Sequence, residues 1–519
     1  MKMYRREVII AALASSVASV ALSWRIAAMA QSSEDKKTLT WVSFISYRNM
    51  NPASNYDSEV YVLGNVYETL FVYKDGKILP KLATSWERSD GGKTWAVRLR
   101  DGVKFHDGSA LNSAAVKKSF EYVRDLGKGA GFLYAGLENV ETPDDHTAVF
   151  RFKDPIAFDL VAAGQYGAFV IAPAAIDKGD EWLTQGNAIG TGPYKLAEFQ
   201  QGKLVVLEKF DDYWGGWQSG QFERVVHPYV AEVATRVQMI RSGEADVSRV
   251  PGSQMESLDA LSNVSVTNAP GWRTQLYMIN VQKYPTDNLK FRQALLHLWD
   301  FDSVLKNIFH GAATKPVAPI ASTMWGHGTY DVGTFDPDKA LALLEESGIP
   351  KKDWNIKALY SASNQEQIDA IELFQASAAA IGVEVELDLE QVSSTFLSKA
   401  RSPETSGHLN VMVWWPAYPT PSDWMVTMFH TEKKPAWNLS YYYDEEFDRL
   451  ADQAFKLEGV DMDAAAKAYI AAQDRLMQNA VAIFYADVNR VDAYSSDIKG
   501  MEEANNPAYE WLSIYNLRR

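Results

Sequence analysis

The residues able to perform covalent chemistry do not stand at the spacing of a common catalytic motif. The string Gly91–Thr94 ends like a phosphate-binding loop, but Glu87 occupies the position where that loop needs its first glycine. Ser303–Lys306 fits an S-x-x-K pattern, although the sequence contains neither of the partner motifs S-D-N and K-T-G. The eight histidines are scattered without metal-ligand spacing. We therefore expect no catalytic residue, no metal site and no cofactor.

One class of catalysis stays open because its residues meet only in the folded chain. Glycosidases use two carboxylates that face each other across the scissile bond and need no fixed sequence spacing. The chain holds 66 aspartates and glutamates, so a pair of this kind has no sequence signature to exclude it. A hydrolase acting on glycans or peptides is therefore the alternative function.

The amino-acid composition argues against several other classes of function. The 519 residues include no cysteine, which excludes disulfides, thiolate catalysis, cysteine-bound zinc and a lipid-modified cysteine anchor. The formal net charge of −15 argues against a nucleic-acid partner, whose binding surface would be basic. A hydrophobic fraction of 47% is enough to build a large core.

The first thirty residues predict export. Lys2, Arg5 and Arg6 precede an apolar run, residues 8–22, and Ala28–Ala30 forms an A-x-A cleavage pattern. We assign residues 1–30 to a signal peptide, which leaves a periplasmic mature chain that does not insert into the membrane. The Arg5-Arg6 pair also resembles a twin-arginine signal, so export by that route is a second expectation.

Helices and strands alternate along the rest of the chain, which indicates an α/β fold. Asn112 is placed as the N-cap of a helix running to about residue 124, and Asp336-Pro337 begins a helix that Gly348 ends. Apolar spacing predicts a helix over 60–72. Short strands are expected over 276–281 and 481–485, and residues 383–389 should place their apolar side chains on one face.

Four segments in order resemble the extracellular solute-binding proteins of family 5, the dipeptide, oligopeptide and nickel-binding components of ABC importers. The first contains the sequence pattern LP-LA-SWE followed by W-V-LR-GV-FHDG, and the second begins with GTGPY and ends with YW. The third contains RQAL, and the fourth reads DPDKALALLEESG. The segments are Val66–Ser119, Gly190–Trp214, Tyr277–Leu295 and Asp336–Gly348.

This resemblance implies a bilobed α/β periplasmic binding protein of the type II-like class, cluster C. Lobe I would comprise residues 31–270 completed by 490–519, with an extra subdomain at about 74–187, and lobe II would comprise 271–489. The resemblance further implies a monomer that captures a small-molecule or peptide ligand between closing lobes and delivers it to a membrane-embedded ABC permease. A chemosensory or scaffold role without uptake is a third possibility.

The family's ligand-facing segments correspond to three stretches of this chain. They lie after the first strand, at the crossing between lobes, and in the aromatic stretch that begins WWPAYP. The resemblance places ligand-binding residues there: Arg48, Asn49, Trp272, Arg273, Trp414, Trp415, Tyr418 and Asp423. One or two of the four aromatic side chains Trp414, Trp415, Tyr418 and Trp424 are expected to touch the ligand.

The chain departs from the peptide-binding members at one position. Where those members hold an aspartate that binds the peptide amine, the alignment places Ala417, and the arginine that pairs with a dipeptide carboxylate would fall near Ser361. Loss of one partner of a buried charge pair costs about 2–5 kcal/mol. This favours an oligosaccharide-like, opine-like or other small organic solute over a peptide, unless Asp423 replaces the missing carboxylate.

Overall fold

The structure is a computed structural model that describes residues 37–56, 58–361 and 364–519. The predicted signal peptide and the twin-arginine pair lie outside the described residues. No helix in the described ranges is long and apolar enough to span a membrane.

Most strands join one mixed sheet, ordered β15-β14-β16-β12-β17-β11-β1-β10-β9-β8, with β13 paired to β17 beside this path. Strand β1 is parallel to β10 and β11, and β14 is parallel to β15 and β16, while the other pairs are antiparallel. The strands in chain order are β1 (Thr38–Val42), β2 (Phe71–Lys74), β3 (Lys77–Pro80), β4 (Ala83–Ser89), β5 (Thr94–Leu99), β6 (Leu137–Asp144), β7 (Thr147–Phe152), β8 (Tyr194–Gln200), β9 (Leu204–Lys209), β10 (Arg224–Pro228), β11 (Val247–Arg249), β12 (Val264–Ile279), β13 (Ala313–Thr314), β14 (Asn355–Ser361), β15 (Glu384–Glu390), β16 (Leu409–Trp414) and β17 (Ala482–Ser495).

Two long strands connect the halves of this sheet. β12 and β17 pair along their length, and their register breaks between Ala269 and Arg273. Before the break β17 also pairs with β11, and after it β12 also pairs with β16. The irregular stretch contains Pro270, which cannot donate a ladder hydrogen bond, and Gly271, which has no side chain to pack. The break therefore lies where the chain passes from one half of the sheet to the other. One half contains β11, β1, β10, β9 and β8, and the other contains β16, β14 and β15.

Several of the helices pack against this sheet. Two helices of the fold begin at the predicted caps: the Asn112 side chain accepts a hydrogen bond from Ala115 N at 2.9 Å, and Asp336 accepts one from Lys339 N at 2.9 Å. The helices are α1 (Val60–Val66), α2 (Ser113–Leu126), α3 (Phe158–Val161), α4 (Pro173–Lys178), α5 (Asp180–Thr184), α6 (Val233–Ser242), α7 (Met255–Asp259), α8 (Leu289–Leu296), α9 (Phe301–Ser303), α10 (Pro337–Glu346), α11 (Gln365–Ala380), α12 (Ser393–Ala400), α13 (Ser422–Phe429), α14 (Glu445–Glu458), α15 (Met462–Gln478) and α16 (Met501–Ala504).

A separate antiparallel sheet, ordered β4-β5-β7-β6, is built from residues between 83 and 152. Trp95, Val97 and Leu99 point from β5 into its core, where helix α2 packs. Short helical turns complete the fold at Asp90–Gly92, Gly131–Tyr134, Gly252–Gln254, Val304–Ile308, Lys351–Asp353 and Ile514–Asn516.

The predicted helix over 60–72 is wrong in its second half. Helix α1 ends at Val66, and the backbone of Tyr67 is extended, with φ −116° and ψ 157°. Glu68 turns into the interior, where it accepts hydrogen bonds from Thr191, Tyr213 and Trp214. These distant partners outweigh the local helical spacing, and the chain continues as strand β2.

The lengths of two strands were also underestimated. Strand β12 begins well before the predicted range 276–281, and β17 continues well past the predicted range 481–485. Their polar, glycine- and proline-containing portions are extended because each supplies the other's backbone partner, which local spacing does not reveal. The predicted apolar face of 383–389 is only partly buried. Val385 is buried, whereas Leu389 is exposed because β15 lies at the sheet edge.

Candidate functional site

A cavity of about 530 Å³ lies beside the irregular stretch of β12. Strand β11, the start of α11 and the C-terminal segment, which is the chain after β17 (residues 496–519), meet there. Its wall is drawn from both halves of the sheet. Arg249 comes from the end of β11 and Arg273 from β12 just past the register break, while Glu510 belongs to the C-terminal segment. Asn364, Gln365, Glu366 and Asp369 reach the wall from the start of α11.

Two guanidinium groups share one carboxylate at this cavity. Arg273 Nη2 lies 2.7 Å from Glu510 Oε2, and Arg249 Nη1 lies 3.5 Å from the same oxygen. The Tyr61 hydroxyl donates to Glu510 Oε2 at 2.5 Å and accepts from Arg249 at 2.7 Å and Arg273 at 2.9 Å. Burial alone would raise the pKa of Glu510, but the charges of Arg273 and Arg249 lower it to about 2. Glu510 is therefore ionised at neutral pH.

Side chains from other parts of the fold hold the C-terminal segment by hydrogen bonds to the backbone of Glu510. Arg490 Nη1 donates to the carbonyl oxygen of Glu510 at 2.9 Å, while its Nε pairs with Asp492 at 2.5 Å. The amide of Glu510 donates to Gln165 Oε1 at 2.9 Å. A residue near the end of the chain thus reaches the cavity between strands that lie far earlier in the sequence.

Trp415 does not line the cavity, but its ring packs against Arg273, which does. The Arg273 guanidinium lies 4.9 Å from the Trp415 ring centroid, within the range of a cation–π contact. The Trp415 indole donates to the Tyr166 hydroxyl at 3.0 Å. The structure therefore brings together two of the predicted ligand-binding residues, Arg273 and Trp415.

Three other predicted residues, Trp414, Tyr418 and Asp423, lie in the protein interior. Asp423 Oδ2 accepts from the Trp414 indole at 3.2 Å and from the Ala417 amide at 2.8 Å. Tyr418 shares a 2.8 Å hydrogen bond with Ser422. Burial raises the pKa of Asp423 to about 7. In this structure the Asp423 carboxyl holds the loop at Ala417, the position where peptide-binding members place their amine-binding aspartate.

The remaining predicted residues lie apart from the cavity wall. Trp272 is buried, with its indole 3.0 Å from the Thr323 hydroxyl and its ring 5.3 Å from that of Tyr73. Arg48 is exposed, and its backbone amide donates to Glu59. Asn49 accepts from the amide of Asn51 within the same loop.

Three residues of the charged centre were missed from the sequence: Tyr61, Arg249 and Glu510. None lies in a motif, and Glu510 is 237 positions from its closest cationic partner, Arg273. Their polar side chains are buried or nearly so, and this burial is what identifies them as candidate site residues. Burial is a result of the fold and cannot be read from the sequence. The sequence offers no signal that would have joined them.

Contacts outside the cavity wall also join the part of the chain before β12 to the part after it. The amide of Gln165 donates to Ala417 O at 2.8 Å. The Arg88 guanidinium, on β4, donates to Gly459 O at 2.7 Å and Val460 O at 3.0 Å, immediately past the end of α14. Terminal carbonyls of a helix carry partial negative charge and lack helical partners, so a guanidinium is well suited to them.

No group of three or more histidine, aspartate or glutamate side chains within 37–56, 58–361 and 364–519 is arranged to hold a metal ion. The side chains that line the cavity offer hydrogen bonds, ion pairs and aromatic contacts to a ligand.

Comparison with known proteins gives matches over most of the chain. The sequence profile described as bacterial extracellular solute-binding proteins, family 5 Middle, matches residues 77–436. The glutathione-binding protein GsiB of Pectobacterium atrosepticum is 28% identical over 448 residues, covering 85% of this chain and 86% of that protein. The probable D,D-dipeptide-binding periplasmic protein DdpA of Escherichia coli is 27% identical over 466 residues, 87% of each chain.

Solved structures agree with the sequence matches on the fold. A dipeptide-binding protein of a Pseudoalteromonas species, in complex with Met-Leu, has a TM-score of 0.80 at 22% identity and covers 93% of this chain and 100% of its own. This likeness confirms the predicted bilobed α/β fold.

Proposed function

The chain belongs to the bacterial extracellular solute-binding proteins, family 5, and on that premise we propose that it is the periplasmic solute-binding component of an ABC importer. It captures a peptide-like or other small organic solute between two lobes and delivers it to the membrane-embedded permease. The observation that carries this proposal is the cavity at Arg249, Arg273 and Glu510, whose wall comes from both halves of the sheet. A solute that contacts both halves stabilises the closed arrangement by its differential contact energy.

The proposed lobes have the boundaries that were predicted from the sequence. One comprises residues 31–270 completed by 490–519, and the other comprises residues 271–489. The register break in β12 supports a division there. The mature chain acts as a monomer, is released from a signal peptide at about residue 30, and catalyses no reaction. The relatives are named as binding proteins, and none of this supports the alternative of an exported hydrolase.

The relatives' names narrow the kind of solute. One is named for glutathione and another for a D,D-dipeptide, so small peptide-like compounds are the first candidates. Ala417 and the occupied carboxyl of Asp423 argue against an amine held as in the peptide-binding members of the family. Oligosaccharide-like and opine-like solutes stay among the candidates for this reason.

A binding experiment with defined solutes tests the proposal. Glutathione, a D,D-dipeptide, an opine and an oligosaccharide are each added to protein that has been unfolded and refolded to remove any bound compound. A solute present at a hundred times its dissociation constant stabilises the folded state by about 2.7 kcal/mol, which raises the melting temperature measurably. Mass spectrometry of the solute after incubation separates binding from hydrolysis, since a hydrolase would change the solute's mass.

Substitution at the aromatic surface locates the site. Trp415→Ala removes the ring beneath Arg273 and should weaken binding of the stabilising solute more than tenfold while the protein stays folded. Trp325→Ala is the matched control, because that half-buried indole donates to Pro419 O, whereas the Trp415 ring packs against Arg273 of the cavity wall. Unchanged affinity in the Trp415 variant would place the site elsewhere.

A further inference from the structure

The two arginines at the cavity have more donors than the protein satisfies. Among the described residues, hydrogen bonds to Arg249 are made only through Nη1, and those to Arg273 only through Nη2. The Nε atoms of both side chains are buried without a partner. The Arg249 and Arg273 side chains are only 18% and 22% exposed, so water replaces the missing acceptors incompletely. Because a ligand in the cavity cannot contact an Nε atom that is closed to solvent, the donors open to it are the Nη atoms without a described partner, Arg249 Nη2 and Arg273 Nη1.

The local charge is also unbalanced. Arg249 and Arg273 face the single carboxylate of Glu510, whereas the nearby Arg490 is already paired with Asp492. Arg236 adds a further cation to the cavity wall, and its Nη1 donates only to backbone carbonyl oxygens. This end of the cavity therefore carries net positive charge, which favours an anionic group.

Acidic side chains reach the same cavity from helix α11, which packs against β14 and β15. Glu366 and Asp369 lie in the first turns of α11, and both line the wall. Asp369 accepts a hydrogen bond from Gln365 at 2.7 Å. Neither carboxylate forms an ion pair with a lysine, arginine or histidine of the described ranges. Burial raises the pKa of Glu366, although the charge of Arg273 opposes this shift. A half-buried carboxylate of this kind is suited to a cationic partner.

We propose that the solute is amphoteric, with an acidic group bound by Arg249 and Arg273 and an amino or other cationic group bound by Glu366 and Asp369. This inference rests on the proposed solute-binding function and adds the charge pattern of the solute. It also moves recognition of a cationic group from the loop at Ala417 to the start of α11. Such a solute contacts Arg249 on one half of the sheet, and Arg273, Glu366 and Asp369 on or beside the other half.

The test uses the dialysable fraction of yeast extract, separated by ion exchange into acidic, basic, neutral and amphoteric pools. Each pool is added to refolded, ligand-free protein, and the melting temperature is measured together with the bound mass by native mass spectrometry. The amphoteric pool should raise the melting temperature and give a bound compound. A stabilising compound found in the neutral, purely acidic or purely basic pool would overturn the charge assignment.

Two variants address the residues themselves. Arg249→Gln and Glu366→Gln should each raise the amount of pool needed for half-maximal stabilisation by at least about thirtyfold, because one partner of a buried charge pair is removed. Arg224→Gln, a change in an exposed ion pair on β10, is the control and should leave binding unchanged. If Arg249→Gln fails to fold, Glu366→Gln still decides, since its isosteric change removes only charge.

Two outcomes separate the charge assignment from the function beneath it. Binding of the amphoteric compound with unchanged affinity in Glu366→Gln would contradict the charge assignment and leave solute binding intact. Stabilisation by none of the four pools would contradict the solute-binding function itself.

Discussion

Replacing Glu510 with glutamine removes the carboxylate that Arg249 and Arg273 share at the cavity. The glutamine has nearly the same shape, so packing is preserved while the charge is lost. In the folded protein the pKa of Glu510 falls from its ordinary value of 4.5 to about 2, because both guanidinium groups lie against the carboxylate. Since one pKa unit corresponds to 1.36 kcal/mol, ionised Glu510 contributes about 3 kcal/mol to stability at neutral pH.

The sign of the pH dependence follows from the direction of this shift. The folded-state pKa of Glu510 is lowered, so its contribution is fully present above about pH 4.5 and disappears as the pH falls toward about 2. The difference in free energy of unfolding between wild type and Glu510→Gln should therefore be about 3 kcal/mol at about pH 7. At about pH 3 it should shrink to about 1 kcal/mol.

Urea unfolding followed by tryptophan fluorescence measures this difference at both pH values. Glu503→Gln is the matched control, because Glu503 is an exposed glutamate in the same C-terminal segment, and its substitution should change stability by less than about 0.5 kcal/mol. Equal stability of wild type and Glu510→Gln at neutral pH, or a difference that does not shrink in acid, would refute the reasoning about the buried cluster.

Three further changes test other parts of the structure. Arg88→Ala removes the guanidinium from Gly459 O and Val460 O, and should speed solute release about fivefold in stopped-flow measurements; an unchanged rate would show that this contact does not hold the closed form. Burial raises the pKa of Asp423 from 3.8 to about 7, so wild type should lose about 4 kcal/mol of stability between about pH 4 and pH 8 through this group. Asp423→Asn should lack that loss and bind solute within about threefold of wild type by calorimetry, whereas a large loss of affinity would make Asp423 a ligand contact. Asn112→Ala removes a helix N-cap and should lower the free energy of urea unfolding by about 1 kcal/mol, a cap effect that unchanged stability would disprove.

Local signals of the sequence predicted the parts of the fold that depend on local physics. Asn112 and Asp336 are side chains that satisfy the free amides of a helix start, and both helices begin where these residues predicted. The long strands were predicted too short because the extended form of their polar portions depends on each other's backbone rather than on their own composition. The end of helix α1 was misplaced for the same reason, since Glu68 is drawn to partners more than 120 residues away.

The candidate site divides in a similar way. Arg273 and Trp415 lie in the stretches indicated by the family resemblance, and the structure places them against each other. Trp414, the neighbour of Trp415, points to the opposite side of its strand and is buried. Arg249 and Glu510 could not be predicted, because the pairing of β11 with β17 and the return of the C-terminal segment bring them together. Charges that meet only through tertiary structure leave no periodic signal.

The most direct test of the solute-binding account is native mass spectrometry of refolded, ligand-free protein mixed with the dialysable fraction of yeast extract. The account predicts a discrete small-molecule adduct on the wild type that is strongly reduced in Arg273→Gln, while the exposed-site control Arg224→Gln keeps it. An adduct that persists at equal occupancy in Arg273→Gln would contradict the assigned cavity, and the lack of any adduct on the wild type would contradict the function.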